Sequence, residues 1–70
     1  MEPWREMFVN EYHELCERIG KLEAMIKRTE AEGNIKLDNT PLDILKVQLS
    51  AMKTYRLALD IRVVYEGHEV

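Results

Sequence analysis

Apolar residues recur along this chain in two stretches separated by a polar break. In the first, Phe8, Tyr12, Leu15, Ile19, Leu22 and Ile26 follow at intervals of 4, 3, 4, 3 and 4. In the second, Leu42, Leu45, Leu49, Met52, Leu59 and Val63 keep the rhythm, with Arg56 in the slot between Met52 and Leu59. Alternation of threes and fours gathers side chains on one stripe of an α-helix. The pattern predicts a helix over about 3–31, a loop at 32–39 and a second helix over about 41–66, in a single domain.

The punctuation agrees with the periodicity. Pro3 suits the first turn of a helix, where a missing N–H leaves no bond unmade. Gly20 weakens the first helix by about 1 kcal/mol relative to alanine, and is read as a tolerated surface glycine. Gly33 and Asn34 are stop residues, and Ile35 and Leu37 are expected to fold back over the end of the core. Thr40-Pro41-Leu42-Asp43 reads as a second start, with Thr40 as the cap and Asp43 favourable to the helix dipole. Gly67 ends the second helix. Glu17 with Lys21 and Glu23 with Lys27 stand in the favourable acid-before-base order on a solvated face. The fold class is all-α, an antiparallel two-helix hairpin, with Leu49 near Leu22, Leu45 near Ile26 and Val63 near Phe8.

One hairpin buries one stripe per helix, and the second helix carries more than that. Leu57, Ile61 and Val64 point away from the Leu59 face, and Val47 and Thr54 extend the same side upstream. A helix that is apolar nearly all round is buried nearly all round. The expected assembly is therefore a homo-oligomeric bundle of hairpins, and self is the first expected partner.

Composition narrows the rest. A chain of 70 residues is near the size at which one core only just offsets chain entropy. Cys16 stands alone, so no internal disulfide adds support, and one cysteine with two histidines offers no zinc spacing. A net charge of −3 argues against general nucleic-acid binding. No run approaches the roughly 18 apolar residues of a membrane span, and no signal peptide is read at the N-terminus. The expected setting is the cytoplasm, with no membrane partner.

Candidate chemistry is non-catalytic. The carboxylates fall mostly on polar faces, the ligand pattern of a di-iron bundle is absent, and His13 lacks a cysteine or serine with which to form a nucleophilic pair. Cys16 flanks the seam as a small apolar residue. No glycine-rich phosphate loop occurs. No enzyme, metal or cofactor is expected. Trp4, Phe8, Tyr12 and Tyr65 instead fall at the open end of the hairpin, together with Arg5 and Arg62; Tyr55 and Arg56 lie a turn or two further in. Rings that stack on a base and guanidinium groups that hold phosphate are the elements of a nucleotide pocket. The candidate ligand-binding set is Arg56, Arg62, Tyr12, Tyr55, Tyr65, Trp4 and Arg5. A plainer reading remains beside it: Arg56 carries its stem past the seam to meet Glu11 or Glu14, and Trp4 caps a core or an interface.

The stretch from Glu11-Tyr12-His13-Glu14-Leu15 through Arg18-Ile19-Gly20-Lys21-Leu22-Glu23, followed by Gln48-Leu49-Ser50-Ala51-Met52-Lys53-Thr54-Tyr55, resembles a family of small helical-hairpin proteins of crAss-like and other tailed phages. That family's pattern is E-Y-x-E-L-x-x-R-I-x-K-L-E and then Q-L-x-A-M-x-x-Y-L. Arg56 departs from it, standing where leucine often follows the tyrosine. The resemblance spans nearly the whole chain and carries no catalytic activity. It implies a phage product acting in the bacterial cytoplasm, and by analogy a counter-defence protein that sequesters a nucleotide-derived immune signal without turnover. The alternative from the residues themselves is a protein–protein interaction module that docks a host or phage protein through Val47, Leu57, Ile61 and Val64. A bundle with no ligand is a third.

Overall fold

A computed structural model describes residues 2–70. Helix α1 spans Pro3–Ala31 and helix α2 spans Leu42–Glu66. Between them, strand β1 (Lys36–Leu37) pairs antiparallel with strand β2 (Thr40–Pro41), Lys36 opposite Pro41 and Leu37 opposite Thr40. Cross-helix contacts run Arg5–Glu66, Tyr12–Asp60, Glu23–Lys53 and Glu30–Lys46, so the helices are antiparallel. The resulting rod measures 46 × 17 × 16 Å.

Local chemistry accounts for each boundary. Pro3 occupies the first helical position, and the Glu2 carbonyl accepts the Arg5 and Glu6 N–H groups. At the other end of α1, Gly33 takes φ 80°, and the reversal bonds Gly33 N–H to the Glu30 carbonyl and Asn34 N–H to the Thr29 carbonyl. Only glycine enters that left-handed region at no steric cost, and the paired bonds are those of a Schellman stop.

Three expectations about the break are corrected. Residues 36–41 form a two-strand ladder rather than a plain loop, so the chain is not purely α-helical. The turn closes tightly because Asp38 adopts φ 55°, which aspartate tolerates better than most residues. Thr40 does not cap α2. It lies in β2, where its backbone is extended, and Pro41 precedes the helix with no side-chain cap. Ile35 does not cover the core: its side chain is 83% exposed, and the residue contributes its carbonyl, which accepts the Leu42 N–H. Leu37 is half-buried.

The core follows the two seams. Phe8, Leu15, Ile19, Ile26, Leu42 and Leu59 are buried, with Leu59 the deepest. Val9, Tyr12, Leu49, Met52 and Val63 pack around the cluster of Phe8, Leu15, Ile19 and Leu59. Burying each such side chain is worth roughly 1.5–3 kcal/mol, so a handful of residues holds the hairpin. Exposed ion pairs line its sides. Glu17 meets Lys21 at 2.9 Å as expected, whereas Glu23 reaches across to Lys53 at 2.7 Å rather than along the helix to Lys27. No helix among the described residues is long and apolar enough to cross a membrane.

Candidate functional site

The open end of the hairpin is built around the four residues that follow α2. Gly67, at φ 70°, reverses the chain, and the His68 N–H bonds back to the Val63 carbonyl at 3.0 Å. That turn lays the His68 ring on Phe8, with centroids 3.9 Å apart and planes 9° from parallel. The same ring meets Trp4 edge-on at 5.4 Å, and His68 is 8% exposed. His68 Nε2 lies 2.7 Å from Glu66 Oε1. Arg62 donates to the same carboxylate through Nε at 2.8 Å and Nη2 at 3.1 Å. Held by Arg62 first and His68 second, the Glu66 carboxyl is pushed down to about 2 from its ordinary 4.5.

Two arginines complete the cluster. The Arg62 guanidinium stands 4.7 Å from the Phe8 ring centroid and that of Arg5 stands 4.6 Å from the Trp4 centroid, both in cation–π range. Arg5 also donates to the Glu66 carbonyl at 2.9 Å and reaches the Glu2 carboxylate at 3.4 Å.

Beside this cluster a shallow depression of about 190 Å³ is lined by Trp4, Met7, Phe8, Glu11 and Arg62. It shares Met7 and Glu11 with a broader open one of about 460 Å³ that reaches Glu14, Arg18 and Tyr55. Together they make a groove between the start of α1 and the C-terminal half of α2. Arg18 and Arg62 favour an anion there, and Glu11 and Glu14 oppose one. The Tyr55 hydroxyl donates to the Glu11 carboxylate, and this bond raises the Tyr55 pKa.

Of the predicted ligand-binding residues, the fold brings Trp4, Tyr55 and Arg62 onto this groove. Arg5 lines a separate depression with Val9 and His68. Tyr12 turns instead to Asp60, donating its hydroxyl at 2.6 Å, and that bond with partial burial raises its pKa to about 12. Tyr65 is 87% exposed and makes no ring contact among the described residues. Arg56 is half-buried in its seam slot. It does not meet Glu11 or Glu14, because Tyr55 takes Glu11, and it has no ion pair within 4 Å among the described residues.

His68 and Glu66 were not among the residues predicted from the sequence. The usable signal was Gly67, because the second residue past a helix that stops on glycine commonly folds back against its last turn. The arrangement offers ring faces and cationic edges. Elsewhere, His13 Nε2 contacts the Val70 carbonyl at 2.9 Å, and Cys16 is half-buried.

The chain is thus a hairpin of two long helices closed at its open end by an aromatic and arginine cluster. The model of the Sequestin family matches residues 2–65, and the chain belongs to that family. No curated protein and no solved structure matches the chain.

Proposed function

We propose that this Sequestin-family hairpin is a phage counter-defence protein that self-associates and traps a small anionic, nucleotide-derived immune signal in the host cytoplasm, without turning it over. The family name supports a sequestering role and leaves the ligand open. The observation that carries the nucleotide reading is the pair of guanidinium groups over aromatic rings at the open end, Arg62 over Phe8 and Arg5 over Trp4. Of the two rings, Trp4 is 46% exposed and suited to stacking on a base, whereas Phe8 is covered by His68 and Arg62; guanidinium forks match phosphate oxygens. Tyr55 and Trp4 would shape the groove, and Arg56, which makes no ion pair within 4 Å among the described residues, would add a cation from the second helix.

Isothermal titration against cyclic and ADP-ribose-type nucleotides tests this. Saturable heat from one of them, with the same nucleotide recovered intact after denaturing the protein, is the expected result. Absence of heat with the whole panel at tens of micromolar protein would refute the nucleotide reading. Recovery of a cleaved product would refute sequestration.

A second reading is favoured by the exposure of Val47, Leu57, Ile61 and Val64. On it, this face of α2 docks a host or phage protein. Light scattering separates the two: a hairpin awaiting a foreign partner stays monomeric alone.

A further inference from the structure

Helix α2 carries a complete second seam on the side turned away from α1. Ile44 and Val47 lie at one end, Ile61 and Tyr65 at the other, and Ala51, Thr54 and Ala58 between them, at intervals of 3, 4, 3, 4, 3 and 4. Every one of these residues is exposed. Leu57 and Val64 widen the same stripe and are 58% and 80% exposed. No charge interrupts the seam; of its two hydroxyls, that of Thr54 already donates to the Ser50 carbonyl, and that of Tyr65 stands at the end of the stripe. Burial of its small centre would therefore strand no polar group.

We infer that this stripe is the contact between two copies of the chain, α2 packed antiparallel against α2 about a twofold axis near Thr54. The order of sizes points to a second copy. An antiparallel isologous contact sets residue i of one copy against j of the other and j against i, so its stripe must read alike in both directions. This one does, with large residues at both ends and small ones in the middle. A foreign helix would impose no such symmetry. The small centre lets the two helices approach to roughly 8 Å, and antiparallel alignment also opposes their dipoles favourably. The six large side chains Ile44, Val47, Leu57, Ile61, Val64 and Tyr65 expose on the order of 800 Å² together, which is what a standard interface removes from each partner.

The contact also bears on the groove. Tyr55 and Arg62 follow Thr54 and Ile61 directly and flank the seam on the side of Glu11. The second copy would stand along the open edge of the depressions, which in one copy are too shallow to enclose a nucleotide. This inference rests on the self-association in the proposed function, and not on the identity of any ligand.

Sedimentation without added nucleotide reads it directly. The 8.3 kDa chain should sediment at twice that mass or a multiple of it. Ala51→Glu with Ala58→Glu should return it to monomer at unchanged helical circular dichroism. Wild type that stays monomeric at hundreds of micromolar, or a double variant that stays dimeric, would overturn the inference. Cross-linking covers the case in which the double variant fails to fold. In a Cys16→Ala background, Val47→Cys mixed with Ile61→Cys should give a disulfide-linked pair under oxidation. Either alone should not, since like positions would stand about 21 Å apart along the axis. Linkage of like with like would refute the antiparallel arrangement. A monomer that still binds nucleotide would sink this inference and the self-association it rests on but not the ligand, and a dimer that binds none would sink only the proposed ligand.

Discussion

At the scale of single residues, the open end depends on a few side chains that each make several contacts. His68 stacks on Phe8, meets Trp4 and bonds Glu66, so His68→Ala removes all three at once. It should cost about 1–2 kcal/mol, measured by urea denaturation. Glu66 adds a pH dependence of known sign. Its folded pKa of about 2 lies below the ordinary 4.5, so its contribution is complete above about pH 4.5 and disappears as pH falls toward 2. Acid titration of the melting temperature should lose part of that dependence in Glu66→Gln. Tyr12 works in the opposite direction. Its pKa of about 12 lies above 10, so its contribution is complete below pH 10 and fades as pH rises through 12. Tyr12→Phe should remove that alkaline dependence. The Trp4, Phe8 and Arg62 cluster was legible at this scale as aromatic residues and arginines sharing one end of a hairpin. Its central ring was not, because His68 reaches Phe8 across 60 residues through a chain reversal that leaves no periodic trace.

At the scale of elements, the helices were legible to within a residue at each end, and the reason is physical. A 3-and-4 rhythm sustained over six positions, with Pro3 before it and Gly33 after it, agrees with only one local structure. The β1–β2 ladder left no such trace, since a two-residue strand is too short for alternation to show. Thr40-Pro41 then satisfied the helix-start pattern while serving as a strand. Gly20 is a test of the reading that it is a tolerated surface residue. An added Cβ would meet nothing within 4 Å, so Gly20→Ala should stabilise the hairpin by about 1 kcal/mol. A thermal melt should rise by about 4–8 °C. Leu59 tests the core. With Phe8, Leu15 and Ile19 packed around it, Leu59→Ala should cost about 2–5 kcal/mol, which circular dichroism would register as a large fall in the midpoint.

At the scale of the whole molecule, the turning of the chain end back onto Phe8 has a kinetic side. The His68 ring is tethered to the surface it covers, so on the proposed nucleotide reading it would compete for that face at an effective concentration on the order of millimolar. A planar ligand stacking on Phe8 would have to wait for, or force, an opening of residues 67–70. Its apparent affinity is then lowered by the fraction of time the tail is seated. His68→Ala should therefore tighten a ligand that stacks on Phe8 even as it loosens the fold. A ligand whose affinity does not change stacks elsewhere, and titration with both proteins tells the two apart. On the proposed nucleotide reading, the imidazole would be a built-in selectivity threshold: the hairpin's own ring would set the minimum stacking strength that a visitor must exceed to occupy that face.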